Sequence, residues 1–133
     1  MAGYSGTPLI TKLGIKDAHT VLLDGLPETV DLGDLGAAHV VRRLPRAAVL
    51  DVTLTFHRER ARFERRLPQL IGRTVPNGMI WVCWPKRASG VPTDLTEDVV
   101  RAVALADGVV DVKVAAIDET WSGLKLVRRL ADR

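Results

Sequence analysis

Two polar segments of the sequence carry side chains that could bind a ligand. Residues 85–94 follow an unbroken apolar run that ends at Trp84, and residues 118–123 follow another apolar run that ends at Ile117. Parallel strands release such polar loops at the carboxyl edge of a sheet, where α/β proteins keep their binding crevices. We therefore predict a ligand-binding site at that edge, built from Lys86, Ser89, Thr93, Asp94, Asp118, Trp121 and Ser122.

A small anion is the ligand that these side chains suit best. Lys86 and Arg87 supply positive charge, and the free amides of a helix predicted to begin after Asp94 would add to it. Trp121 could stack on a planar ligand, but a tryptophan at a strand turn more often packs into the core. For Asp118, we favour hydrogen bonds to loop amides or to Lys86 over a role as a base.

The sequence specifies no reaction. Ser89 and Ser122 lie outside the Gly-x-Ser-x-Gly motif that exposes a nucleophilic serine. His19, His39 and His57 fall at the ends of separate elements, so they predict neither a catalytic triad nor a metal site. We leave the catalytic residues unassigned, expect no cofactor and no metal, and lean towards a protein that is not an enzyme.

Residues 58–66 form the most basic segment of a chain with a net charge of +3. Phe63, Leu67, Leu70 and Ile71 recur at helical spacing and predict one apolar helix face, which leaves the arginines largely on the other. Such a surface could bind nucleic acid without sequence specificity. No aromatic residues alternate with the arginines to stack on bases, so we interpret the segment as a solvated helix face and expect no nucleic-acid partner.

Length and composition are typical of one domain. A chain of 133 residues, 47% of them hydrophobic, can bury a continuous core. Its apolar runs are too short to span a bilayer, and its start lacks the pattern of a secretory signal. The single cysteine, Cys83, excludes a disulfide framework. We expect a cytoplasmic protein with no membrane partner.

Strand and helix patterns alternate along the chain. Apolar and alternating runs predict strands at residues 19–24, 39–42, 48–56, 79–84, 109–117 and 124–129. Helical patterns are found at residues 8–13, 58–71 and 95–106, with a weaker turn at 27–35. Asp94 and Glu97 predict a capping box for the last helix. The order predicts the α/β class, as a single three-layer Rossmann-like domain with a mostly parallel sheet and an antiparallel C-terminal strand.

The two ends of the chain could add further surfaces. Residues 1–18 would form an N-terminal segment and a short helix packed on the domain, and the segment before Pro8 could fold over the crevice. The apolar C-terminal strand could lie at a sheet edge and pair with a second copy. A homodimer and a protein partner therefore stay open beside a small anionic ligand.

The order of elements from Ala48 onward resembles the carboxyl half of Rossmann-like methyltransferases, which also end in a helix, a strand and an antiparallel strand. A Rossmann unit binds its cofactor at a glycine-rich turn after the first strand. Here that turn contains Gly25 alone, then Pro27, which has no amide hydrogen, and Glu28, which is unsuited to a phosphate. We therefore do not expect S-adenosylmethionine or a dinucleotide to bind in the usual way. A degenerate methyltransferase-like enzyme with a nucleotide-like ligand is the alternative function.

Several short motifs occur in order along the chain, at residues 3–9, 13–16, 84–86, 89–90, 93–95 and 118–124. Taken together, they resemble a family of small bacterial proteins known as domain of unknown function 3052. The resemblance covers almost the whole chain and implies a Rossmann-like fold, but it implies no particular activity. Our main functional prediction is accordingly a binding or regulatory module with a crevice at the carboxyl edge of the sheet.

Overall fold

A computed structural model describes residues 7–133 of the chain. Within this range six strands form one sheet, and they are β1 (Thr20–Asp24), β2 (His39–Val41), β3 (Leu50–Phe56), β4 (Thr74–Pro85), β5 (Val109–Ala116) and β6 (Trp121–Arg128). The α-helices of the same range are α1 (Leu9–Leu13), α2 (Arg60–Ile71) and α3 (Glu97–Ala106). Short 3-10 helices are found at Arg87–Ser89 and Leu130–Asp132. The predicted α/β class is confirmed.

The strands lie in the order β2-β1-β3-β4-β6-β5. β2, β1, β3 and β4 are parallel, whereas β6 is antiparallel to both β4 and β5. From β1 the chain passes to β2 on one side and then returns to β3 on the other. The carboxyl ends of β1 and β3 therefore flank the point where the strand order reverses, which is where open α/β sheets bind ligands.

The prediction that the C-terminal strand could lie at the sheet edge is wrong. β6 pairs with a strand on each side, so its backbone groups are used within the sheet. β5 occupies the edge instead. The alternation of residues in this strand predicts that Val112 and Val114 share one apolar face, but they are 53% and 48% exposed. The register of β5 also shifts between Asp111 and Lys113.

Helices α2 and α3 cover one face of the sheet. The predicted apolar face of α2 is confirmed, because Phe63, Leu67 and Leu70 are fully buried there. Pro68 lies inside α2 without dividing it. On α3 the buried residues are Val100, Val103 and Ala104, whereas Ala106, which helical spacing places on the same apolar stripe as Val103, is exposed.

The other face of the sheet is covered by α1 and by residues 25–38. Leu13 of α1 and Leu32 of the connection join the apolar cluster on this face. Trp81 belongs to the same cluster, and its indole nitrogen donates to the Leu13 carbonyl over 3.0 Å. Trp84 packs on the opposite face with α2 and α3. Because both faces of β4 are covered, nearly every residue at its end is apolar.

The weak helical turn predicted at residues 27–35 is not formed as a helix. The amide of Val30 donates to the carbonyl of Pro27, and two aspartates then bind the backbone. Asp31 accepts from the amide of Gly33 and Asp34 accepts from the amide of Gly36, each over 2.8 Å. These aspartate turns compete with helix formation, so the chain crosses from β1 to β2 as a loop.

The capping box predicted for α3 is also wrong. Thr96 is the N-cap, and its hydroxyl accepts from the amide of Val99 over 3.2 Å. Asp94 accepts from the amide of Arg60, the first residue of α2, over 2.7 Å. Asp94 therefore caps a helix that precedes it in the chain, which local sequence patterns do not reveal.

Asn77 and Gly78 do not turn the chain into a new strand but lie within β4, where the register with β3 shifts. A β-carbon on Gly78 would lie 2.5 Å from Thr74 Cγ2 and 2.9 Å from the Leu50 carbonyl oxygen. Glycine is required here because the backbone of β3 approaches closely.

We expect Gly78→Ala to destabilise the fold by about 2 kcal/mol, because the added methyl group overpacks the contact between β3 and β4. Chemical denaturation measures the change. Gly72→Ala is the matched control, since Gly72 has helical backbone angles and its nearest neighbours would lie 3.5 Å from the new carbon. Equal stability of the two variants would contradict the close approach.

Candidate functional site

The carboxyl ends of β1 and β3 are joined by polar side chains. Asp24 ends β1 and lies opposite Thr55 in the parallel ladder. The Thr55 hydroxyl donates to Asp24 Oδ2 over 2.7 Å, and His57 Nε2 lies 2.6 Å from the same hydroxyl oxygen. We call these residues, together with Arg66, the switch-point cluster.

Arg66 binds Asp24 from helix α2. Its Nε donates to Asp24 Oδ2 over 3.0 Å, and its Nη2 donates to Asp24 Oδ1 over 2.7 Å. The two side chains are 29% and 15% exposed, respectively. A two-point contact between a guanidinium and a carboxylate fixes both groups in one plane, so the contact holds α2 against the end of β1.

The contact with Arg66 determines the protonation state of Asp24. Burial alone would raise the pKa of Asp24, but hydrogen bonds from Arg66 and Thr55 outweigh burial and lower that pKa. The carboxylate is therefore ionised at neutral pH and can only accept hydrogen bonds.

His57 is neutral in this environment. The pKa of His57 is lowered from 6.5 to about 4, chiefly by burial; Asp24 acts in the opposite direction, and the positive charges of Arg62 and Arg66 add to the lowering. The imidazole ring also packs against Phe63, with the ring centres 5.5 Å apart. An uncharged imidazole has one nitrogen that donates and one that accepts.

The switch-point cluster was not predicted from the sequence. Asp24 ends one apolar strand and His57 follows another, whereas Thr55 alternates with the apolar residues of β3 and is fully buried, as Thr53 also is. The sequence shows each of these residues separately, but only the pairing of β1 with β3 brings Asp24 close to Thr55 and His57. The prediction that the three histidines lie apart holds only for His57, because the His39 amide donates to the His19 carbonyl over 2.9 Å at the opposite edge of the sheet.

The loop after β4 adjoins the cluster through helix α2. Thr93 donates from its hydroxyl to the Arg58 carbonyl over 2.6 Å, and the Asp94 amide donates to the same carbonyl over 3.2 Å. With the Asp94 cap on Arg60, these contacts tie residues 93–94 to the segment that follows β3.

Lys86 and Asp118 are brought together at the same edge of the sheet, as predicted. Lys86 Nζ donates to the Asp118 carbonyl over 2.8 Å. The Asp118 carboxylate accepts from the amides of Thr120 and Trp121 over 2.8 and 2.7 Å, which confirms the interpretation that it binds loop amides. Both side chains thus stabilise the connection between β5 and β6.

The remaining predicted residues are also held within the chain. Ser89 donates to the Lys86 carbonyl over 2.7 Å and accepts from the Val91 amide. Trp121 is buried and meets Phe56 edge to face at 5.3 Å, which confirms the packing interpretation. Ser122 is half-buried and lies opposite Trp84 in the ladder. The two strands that lead to these loops are not neighbours, because β6 lies between them.

Basic side chains follow the carboxyl ends of three parallel strands. Arg42 follows β2, Arg58 follows β3 and Arg87 follows β4, while Arg62 lies in the first turn of α2. Within residues 7–133 these four guanidinium groups form neither hydrogen bonds nor salt bridges. By contrast, Arg60 on the same helix pairs with Glu64.

Other chemistry is limited in the part of the chain that the structure describes. No three side chains of metal-binding type lie close enough there to hold a metal ion. Burial raises the pKa of the Cys83 thiol, which disfavours the reactive thiolate. No described helix is both long and apolar enough to cross a bilayer.

No family model matches the sequence, and no curated protein matches it. Among solved structures, a SAM-dependent methyltransferase from Aquifex aeolicus matches with a TM-score of 0.64 at 15% identity, over 89% of this chain and 86% of that one. M. jannaschii TYW2 in complex with AdoMet gives a TM-score of 0.49 at 10% identity, over 96% and 80% of the two chains. Magnesium protoporphyrin IX methyltransferase from Synechocystis PCC 6803 gives 0.47 at 12% identity, over 60% and 45%. The Aquifex structure shows that this chain has a methyltransferase-like Rossmann fold.

We expect Arg66→Ala to destabilise the protein by about 2 kcal/mol, because it leaves the largely buried Asp24 carboxylate without its charged partner. Denaturant titration near pH 7 gives the value. Arg65→Ala is the control, since Arg65 is exposed on the same helix and should change stability by less than about 0.5 kcal/mol. A loss no larger than that of the control would contradict a stabilising role for the Asp24–Arg66 pair.

We also expect the protein to lose stability as the pH falls from about 6.5 to about 4, through His57. The unfolded chain protonates this imidazole below about pH 6.5, whereas the folded chain does so only near pH 4. Between these values the unfolded state binds more protons, so acid favours it by up to about 3 kcal/mol.

Denaturation of the wild type and of His57→Gln at several pH values measures this effect. Stability should fall less steeply in the variant over this range, since its side chain does not titrate. Parallel pH profiles of the two proteins would show that His57 titrates normally.

Proposed function

We propose that this chain is a binding module that takes a small anionic ligand at the carboxyl edge of its sheet, in a crevice between the ends of β1 and β3. The observation that carries the proposal is the set of basic side chains at that edge, Arg42, Arg58, Arg62 and Arg87, which form no salt bridges within residues 7–133.

Unneutralised charges of one sign at a sheet edge create a local potential that concentrates ligands of the opposite sign. Asp24 does not cancel this potential, because it is paired with Arg66, and the Asp94 carboxylate accepts from the Arg60 amide. The Asp118 carboxylate is turned towards the Thr120 and Trp121 amides of its own loop. The net charge of +3 acts in the same direction.

The seven residues predicted from the sequence would form the outer wall of this crevice on the β4 side. Thr93 and Asp94 connect that wall to Arg58 and Arg60. Lys86 would add a fourth strand-end cation if a ligand displaced its ammonium group from the Asp118 carbonyl. We therefore place the centre of the site at the switch-point cluster and its rim at residues 85–94 and 118–123.

A methyltransferase-like enzyme is the second candidate function, because the fold match to the Aquifex protein extends over most of both chains. Two features of the described residues argue against S-adenosylmethionine as the ligand. Residues 25–38, after β1, form a loop rather than a helix whose amides could face the ligand. The strand that would present an acidic residue to the ribose, β2, is followed by Arg42 and Arg43.

The charge of S-adenosylmethionine also argues against it as the ligand. S-adenosylmethionine carries a sulfonium cation, whereas the Asp24 carboxylate near His57 is already paired with Arg66, and Arg62, which also acts on His57, forms no salt bridge within residues 7–133. The residues at the end of β1 therefore do not fit this cofactor well, and we derive no reaction from it.

A thermal-shift screen tests the proposal with inorganic phosphate, nucleotides, phosphorylated metabolites, S-adenosylmethionine and S-adenosylhomocysteine. A ligand at a hundred times its dissociation constant should add about 2.7 kcal/mol to the free energy of unfolding. We expect stabilisation by one or more anionic compounds, weakened in Arg62→Ala and retained in Arg65→Ala.

The screen separates the two candidates. Stabilisation by S-adenosylmethionine or its demethylated product alone would support the methyltransferase-like function and contradict the anion-binding module. Unchanged melting temperatures across the panel would contradict both and favour a protein partner.

A further inference from the structure

We infer that the ligand of this crevice carries a hydroxyl or amine beside its anionic group, and that His57 Nδ1 accepts a hydrogen bond from that donor. The inference rests on the proposed function, since it concerns the same crevice, and it narrows the ligand to hydroxylated or aminated phosphates and carboxylates.

The hydrogen bonds of the switch-point cluster can run in only one direction. The Asp24 carboxylate can only accept, so the single hydroxyl hydrogen of Thr55 points to Asp24 Oδ2. The Thr55 oxygen must then accept from His57 Nε2, which lies 2.6 Å away. His57 therefore carries its hydrogen on Nε2.

The other ring nitrogen of His57, Nδ1, is left as an acceptor. With the hydrogen on Nε2, the Nδ1 atom of a neutral imidazole presents a lone pair. Among residues 7–133 no group donates to this atom, although the side chain is more than half buried. Nδ1 is not among the buried polar atoms that lack a partner in these residues, so solvent reaches it and a ligand hydroxyl or amine can donate to it in place of water.

Positive charge also acts on this imidazole ring. Arg62 and Arg66 both act electrostatically on His57. Arg66 is already bound to Asp24, whereas Arg62 forms no salt bridge within the described residues. One ligand that carries both a negative group and a neighbouring donor would satisfy Arg62 and His57 together.

The ring of His57 is held in place by a chain of hydrogen bonds. Arg66 fixes Asp24 through two hydrogen bonds, Asp24 fixes the hydroxyl of Thr55, and Thr55 fixes the ring of His57. A site built to receive a ligand hydrogen bond discriminates strongly against analogues that lack the donor, because its own polar group is then left unpaired. His57 is thus the residue that would select the ligand, and the other three are positioning residues.

Two matched pairs of probes test the inference by isothermal titration calorimetry, namely glycerol 3-phosphate against propyl phosphate and lactate against propionate. Within each pair the charge is the same and only the first member has a hydroxyl beside it. We expect at least one hydroxylated probe to bind about tenfold more tightly than its partner. The phosphate and carboxylate pairs distinguish the two sources of negative charge.

Two variants assign the preference to His57. His57→Phe should abolish the discrimination within the pair and leave the weaker probe unaffected. Thr55→Val is the second variant, since it keeps the side-chain shape and releases the ring from its fixed tautomer, so the preference should shrink there as well. Nitrogen-15 spectra of the imidazole in the wild type should show the hydrogen on Nε2.

Equal affinities within both pairs, or no binding of any of the four probes, would overturn the inference, as would an imidazole hydrogen on Nδ1. Equal affinities would leave the anion-binding proposal standing, because both members of each pair carry the charge. Anion binding in the wider thermal-shift screen, without binding of these probes, would likewise overturn only the narrower inference.

Discussion

The ion pair between Asp24 and Arg66 is the contact on which the candidate site depends. It joins the last residue of a central strand to the middle of the helix that follows its neighbour, so it fixes the distance between sheet and helix at the carboxyl edge. The same carboxylate receives the Thr55 hydroxyl and thereby orients His57. Partly buried charges of this kind are maintained only when their hydrogen-bonding capacity is met, and here two residues meet that of Asp24.

Much of the fold could be predicted because its signals are local. The apolar run at residues 79–84 indicates a strand covered on both faces, and β4 has helices on one side and α1 with its connection on the other. Phe63, Leu67 and Leu70 follow the helical period and are all buried. The antiparallel C-terminal strand was also predicted, and the methyltransferase-like fold agrees with the resemblance seen from Ala48 onward.

The parts that could not be predicted depend on contacts between distant residues. Asp94 stands three residues before a glutamate and so fits a capping box, yet it caps α2, 34 positions earlier in the chain. The partnership of Asp24 with Arg66 spans 42 positions and exists only because β1 and β3 are neighbours. Likewise, β6 is the last strand along the sequence, but in the sheet it lies between β4 and β5. This order leaves the apolar strand β5 at the edge. A periodic pattern gives the type of an element, whereas its neighbours are set by the topology of the whole sheet.

The irregular register of β5 has a consequence for how the protein behaves at high concentration. An exposed strand with Val112 and Val114 would ordinarily invite another chain to extend the sheet, and that is a common beginning of aggregation. The shift between Asp111 and Lys113 interrupts the regular spacing of the outward amides and carbonyls, and the lysine side chain is itself exposed beside it. Such bulges and edge lysines oppose the addition of a further strand. The fold can therefore expose an apolar edge strand and still resist growing into a continuous intermolecular sheet.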